Sequence, residues 1–198
     1  MTRGKFIVFE GLDGSGQSTQ IALLEEYLRT RKKKVHITTE PTNNIVGGMI
    51  RGILTGQWKL SNTGMQLLYA ADRAHHLESE ILPTLKAGHM VISSRYYFST
   101  LAFGSLKNDI EWLEKINEKF PQPDVTFFMN VSPKECMRRI GDSRSRKELF
   151  EKEKTMEKVF QTYQEIAANK KYNIFTINGD QSKEKVSEDI IKIIDKIL

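Results

Sequence analysis

The 198-residue chain has a single cysteine, Cys136. One thiol excludes an intramolecular disulfide, cannot by itself build a zinc cluster, and fits a reducing, cytoplasmic setting. Long apolar runs are also missing. Phe6–Phe9 is too short for the core of a signal peptide, and no stretch is long enough to span a bilayer. There is no internal repeat, low-complexity tract or Pro/Gly/Ser linker, so one domain over residues 1–198 is expected. Charge of one sign is scarce too: 30 basic against 25 acidic residues leave +5. That excess suits an anionic ligand and is too small to point to DNA or RNA. The densest basic run, Arg29–Lys34, falls where a helix should end, and cations there complement the helix dipole.

What the chain does have is alternation. Short apolar runs (KFIVFE, KVHITTEP, HMVISSR, DVTFFMNV, YNIFTING) are separated by segments of helical periodicity. The first helix reads Ser18–Lys32, with Ile21, Leu24, Tyr27 and Leu28 on one face. Leu60–Gly88 reads as helical with a break near Pro83, and Pro133–Asn169 as one long polar helical stretch. Strands alternating with helices predict an α/β fold with a parallel sheet. The strands are apolar on consecutive residues, as expected where helices cover both faces.

The loop after the first strand reads FEGLDGSGQST. A phosphate-binding loop has Gly, four residues, Gly, Lys, then Ser or Thr. Gly11, Gly16 and Ser18 keep their places, and Gln17 stands where the lysine would be. Glycines let backbone N–H groups approach phosphate oxygens, and the following helix adds its N-terminal partial charge. Ser18 is placed to meet Mg²⁺ through its hydroxyl. His75 and His76 are adjacent on a helix and point apart, which makes a poor metal pair; His36 and His89 read as structural.

TTEP (Thr38–Pro41), LLYAADR (Leu67–Arg73) and SSRYYFSTLAFG (Ser93–Gly104), together with the loop EGLDGSG, resemble thymidylate kinases, in the same order along the whole chain. The resemblance implies a P-loop NTPase fold with a five-stranded parallel sheet flanked by helices, a short lid at about 138–150, and a homodimer. It implies transfer of the ATP γ-phosphoryl group to dTMP with Mg²⁺, in dTTP synthesis. ATP would lie on Gly11, Gly14, Ser15, Gly16, Gln17, Ser18 and Thr19, with Ser18 at the metal. The acceptor would meet Asp13, Glu40, Pro41, Arg51, Tyr69, Arg73, Arg95, Ser99, Thr100 and Phe103. Tyr69 matches the ring that stacks on thymine, Arg73 the arginine that reads a base carbonyl, and Arg95 the phosphate clamp. Phe103 matches an aromatic crowding the place of a ribose 2′-hydroxyl. Gly14 stands where some members carry an arginine; members of this type draw arginines from the lid, here Arg144 and Arg146. Arg95, Gln17, Arg144 and Arg146 form the implied catalytic set.

Two departures bear on the chemistry. Gln17 replaces the loop lysine, and Ser94 replaces the aspartate before the clamp arginine. Neither the third nor the fourth strand ends in a carboxylate, which leaves Glu10, Asp13 and Glu40 as the acids near the expected metal. Three readings therefore stand at this point: a dTMP kinase, a nucleotide-binding pseudokinase, and a kinase for another nucleotide such as dUMP.

Overall fold

The computed structural model describes residues 3–141 and 153–198. Five parallel strands form one sheet in the order β2-β3-β1-β4-β5: β1 Phe6–Glu10, β2 Val35–Thr39, β3 Met90–Ser94, β4 Val125–Asn130 and β5 Ile174–Asn178. The central strand β1 pairs with β3 on one side and β4 on the other. Its side chains alternate between two cores, which is why every residue in it is apolar up to Glu10. Phe6 and Val8 face a layer that includes Phe98, Leu101, Val159 and Tyr163. Ile7 and Phe9 face a layer that includes Leu24, Leu28, Val186 and Ile190. Helices α1 (Gln17–Thr30) and α9 (Lys183–Ile194) cover the second face, and α5 (Tyr97–Gly104) and α8 (Glu153–Ala168) the first.

Two findings depart from the sequence reading. The segment Ile45–Leu54 forms a helix, α2, although it holds three glycines. Asn44 caps it, its side chain accepting from Gly47 N at 3.1 Å. A Cβ at Gly47 would stand 1.9 Å from the Thr42 carbonyl oxygen, so close approach rather than helix propensity sets the residue there. The break in the long helical stretch lies upstream of Pro83. Helix α3 (Asn62–His76) runs into a π-helical turn at Leu77–Ile81, and Pro83 sits in the first turn of α4 (Leu82–Lys86), where a missing N–H is harmless. Within the stretch expected over Pro133–Asn169, the described residues form α7 (Pro133–Gly141) and α8, and α6 (Ile110–Asn117) lies earlier in the chain. No described helix is long and apolar enough to cross a membrane.

Candidate active site

The carboxyl ends of parallel strands, with the loops that leave them, are where such sheets bind ligands. The loop between β1 and α1 is built for close backbone approach. Gly14 has φ +81°, and a Cβ there would stand 2.5 Å from the Cys136 carbonyl oxygen. An arginine at this position would require the Cys136 backbone to move away from the loop. Gly16, at φ 92°, caps α1 without a side-chain hydrogen bond, and no acid lies in the first turn. The free N–H groups of that turn and the helix dipole make an anion site. Ser15, Gly16, Gln17, Ser18 and Thr19 line one cleft together with Asp13, Gly14, Ser94, Arg95 and Arg139. Gly11 lies at the base of the loop, its carbonyl accepting from Gln17.

Gln17 is buried and turned back into its own loop. Its Nε2 donates to Gly11 O at 3.2 Å and lies 3.5 Å from Leu12 O and 3.4 Å from Ser15 Oγ. Its Oε1 accepts from Ser94 Oγ at 3.5 Å. The two residues that depart from the family pattern thus touch each other.

Arg95 leaves β3 with φ 70°, a left-handed conformation that costs a non-glycine residue about 1–3 kcal/mol. Its N–H to Phe9 O, at 2.8 Å, holds it there. The side chain is 17% exposed; Nη2 donates to Asp13 at 2.8 Å and Nη1 to Ser99 Oγ at 3.0 Å, with the guanidinium 5.2 Å over the Phe103 ring. Burial opposes the charge on Arg95, and Asp13 and Glu10 more than restore it, so the guanidinium stays ionised.

Beneath Arg95 lies Glu10, which the sequence reading placed near the metal and in a loop. It ends β1, is buried, and accepts from Tyr96 N (2.8 Å), Ser99 N (3.1 Å), Ser99 Oγ (2.6 Å) and Tyr163 Oη (2.8 Å). Burial pushes its carboxyl above the usual range, against the pull of Arg95 and these donors. Glu10 is thus the organiser of the β3–α5 turn, and its oxygens are already saturated.

Glu40 is likewise committed. Its Oε2 accepts from Arg73 Nε (2.9 Å) and Nη2 (2.7 Å), and its Oε1 lies 3.2 Å from His76 Nδ1. Arg73 is only 1% exposed, sits 5.2 Å from the Tyr96 ring and 5.7 Å from the Phe120 ring, and also donates to Thr100 and Asn117. Four of its five N–H groups are placed in this way, which leaves one on Nη1.

One pocket gathers most of the acceptor residues named from the sequence. Asp13, Glu40, Pro41, Tyr69, Arg73, Arg95, Ser99, Thr100 and Phe103 all line it, joined by Leu54, Gln66 and Tyr96. Arg51 does not line it: its Nη1 donates to the Pro41 and Thr42 carbonyls and pins the loop after β2, which contains the cis Glu40–Pro41 peptide. Asp72 fixes the same loop, accepting from Thr42 N at 2.8 Å and Thr42 Oγ1 at 2.6 Å. Arg144 and Arg146 lie outside the described residues. Arg139, which lines the loop cleft, donates to Glu135 at 2.7 Å and Gly179 O at 3.2 Å. Among the described residues no group of three or more His, Cys, Asp or Glu side chains is arranged to hold a metal. The sequence reading missed Gln66, Tyr163 and Asp72; only Gln66 left a trace, by sharing a helical face with Tyr69 and Arg73.

Comparison with known proteins agrees with this geometry. The family model described as thymidylate kinase matches residues 9–190. A probable thymidylate kinase of Thermococcus kodakarensis is 39% identical, over 98% of each chain. A thymidylate kinase of Desulfotalea psychrophila is 36% identical over 98% of this chain and 96% of its own. One of Thermosipho melanesiensis is 36% identical over 98% of both. With a glycine loop opening α1, a clamp arginine leaving β3 and an aromatic–arginine face on α3, the chain belongs to the thymidylate kinase family.

Proposed function

We propose that this protein transfers the γ-phosphoryl group of ATP to dTMP, giving dTDP and ADP, as a step toward dTTP. The observation that carries the reading is the Asp13–Arg95 pair, which lines both the loop cleft and the acceptor pocket. An anion in the cleft and an anion in the pocket would meet over one guanidinium. A phosphate oxygen of dTMP forms the new P–O bond as the bond from the γ-phosphorus to the bridging oxygen breaks. Such a transfer is driven by positioning and charge neutralisation, and the acceptor needs no general base because it is already anionic near neutral pH.

The residues divide the work by place. Gly14, Ser15, Gly16, Ser18 and Thr19 bind the donor phosphates through backbone N–H groups and hydroxyls. Gln17 stiffens the loop that presents them. Tyr69 stacks on the base, and the N–H that Arg73 has left donates to a base carbonyl. Ser99 and Thr100 hold Arg95 and Arg73 in place, Phe103 closes the pocket on the sugar side, and Arg51 orients the Pro41 loop. The Ser18 hydroxyl, a hard oxygen donor in the loop cleft, would hold Mg²⁺, since Glu10 and Glu40 are already paired. When bound it neutralises charge on the donor phosphates. Ile45 and Met49 on α2 and Leu67 on α3 are exposed at 85%, 41% and 50%, which supports a homodimer covering these helices.

One observation favours a second reading, binding without turnover: the Gln17 amide is spent on loop carbonyls and brings no charge to the phosphates. The variant Arg95→Met separates the two. As a kinase, the protein should lose about 10²–10³ in kcat while nucleotide affinity changes far less. A kcat unmoved by Arg95→Met would contradict the proposed transfer.

A further inference from the structure

One polar group in the wall of the acceptor pocket is used neither by the fold nor by the chemistry above. Gln66 is 6% exposed, and its Oε1 is buried without a hydrogen-bond partner among the described residues. An unpaired buried amide oxygen costs stability, so such groups are rare and ask for an explanation. Gln20 and Asn130 each hold a similar oxygen, but of the three only Gln66 lines the pocket.

Its position is informative. Gln66, Tyr69 and Arg73 recur at i, i+3 and i+7 on α3, and all three line the pocket. Along the helix axis Gln66 precedes Tyr69 by about 4.5 Å and Arg73 follows it by about 6 Å. A base laid on the Tyr69 ring therefore lies between the arginine and the amide along the helix, within reach of both. The amide rests against Gly104, where an added Cβ would stand 3.1 Å from both its Cδ and its Oε1. The missing side chain at Gly104 is what gives the amide its room.

Hydrogen-bond chemistry then selects the partner. Arg73 can only donate, so it answers a carbonyl. The edge of thymine offers one donor, N3–H, between two carbonyls. Cytosine offers an acceptor at N3 and an amino group in place of the 4-carbonyl. We infer that Gln66 is a specificity-determining residue whose Oε1 accepts from the imide N3–H of the acceptor base, complementing the donation from Arg73. The inference rests on the reading of this pocket as a thymine nucleotide site.

Equilibrium binding tests it without depending on turnover. The probes are dTMP and 5-methyl-dCMP, which share methyl group, sugar and phosphate and differ only at N3 and C4. The unmodified protein should prefer dTMP. Gln66→Met keeps side-chain length and removes the amide. It should cut that preference roughly 10–100-fold, leave ATP affinity unchanged and leave the melting temperature equal or higher, since an unpaired polar group has gone. Equal weakening of both nucleotides by Gln66→Met would make the residue mere wall and overturn the inference. A measurement on the unmodified protein guards against a variant that does not fold: the N3 imino proton of bound dTMP should be protected from exchange and lie close to the Gln66 amide in NMR spectra. An imino proton exchanging as freely as in unbound dTMP would overturn it as well. Equal affinity of the unmodified protein for the two probes would instead defeat the thymine reading itself, and the inference with it.

Discussion

Gln17 and Ser94 are two substitutions at one contact. A lysine at 17 and an aspartate at 94 would place opposite charges where Gln17 Oε1 now accepts from Ser94 Oγ at 3.5 Å. Both charges are gone together, and the neutral contact leaves neither residue with an unpaired buried charge. Restoring one alone should be unproductive. Gln17→Lys puts an ammonium at a position 8% exposed, with no carboxylate at 94 to receive it. The double variant should raise kcat roughly 10–100-fold over the unmodified chain, with an interaction energy of about 0.5–3 kcal/mol between the two sites. A double-mutant cycle in kcat measures this; strict additivity would show the contact to be energetically silent. At this scale the sequence was legible wherever a motif is local. Tyr69 and Arg73 share a helical face four residues apart, and both meet in the pocket with Asp13 and Arg95. Glu10 was not legible, because its partners sit at Tyr96 and Ser99, at the start of α5, and at Tyr163 on α8, which only the fold brings together.

Elements hold these residues by buried polar contacts between the ends of β2 and α3. Arg73 and Glu40 form an ion pair with side chains 1% and 3% exposed, and His76, fully buried, holds the other carboxylate oxygen. Removing one partner leaves a charge without water or counter-ion. Glu40→Ala should therefore cost about 3–5 kcal/mol, read from denaturant unfolding, and should weaken acceptor binding as Arg73 loses its anchor. A cost below about 1 kcal/mol would mean that water replaces the carboxylate. On α7 the Arg138 and Arg139 guanidinium groups hold the Glu135 carboxyl down at about 2, from an ordinary 4.5. A lowered carboxylate pKa stabilises the folded state above the ordinary value, and that contribution disappears as pH falls from 4.5 through about 2. Melting curves of the unmodified protein and Glu135→Gln should therefore differ near neutral pH and converge toward pH 2. Elements with clear periodicity, such as α1 and α9, were readable from the chain. The helix α2 was not, since its glycines argue against a helix; Gly47 is explained by the Thr42 carbonyl pressed against it, and Gly52 by Trp58 Nε1, 2.9 Å from where a Cβ would stand. The disturbance expected near Pro83 is a π-helical turn just before it, because a proline marks where a helix is disturbed, not on which side the disturbance is taken up.

Over the whole molecule, one sheet with two cores fixes the loop cleft and the Tyr69–Arg73 pocket a single residue pair apart. β1 is buried along its length, so the loop it launches and the Glu10 contact beneath Arg95 share one rigid floor. The parallel order and the covered faces followed from the alternation of apolar runs and amphipathic segments. The meeting of the two cavities did not, because it depends on β3 lying beside β1 and bringing Arg95 against Asp13. In the proposed transfer, that meeting supplies the positive charge that the loop lysine would otherwise bring. The most direct test is to incubate the purified, unmodified protein with ATP, Mg²⁺ and dTMP and quantify all nucleotides over time. ADP and dTDP should appear in equal amounts, with dTMP preferred over dUMP, UMP, CMP and AMP. Binding of dTMP without any dTDP, under conditions where ATP is also bound, would contradict the proposed transfer.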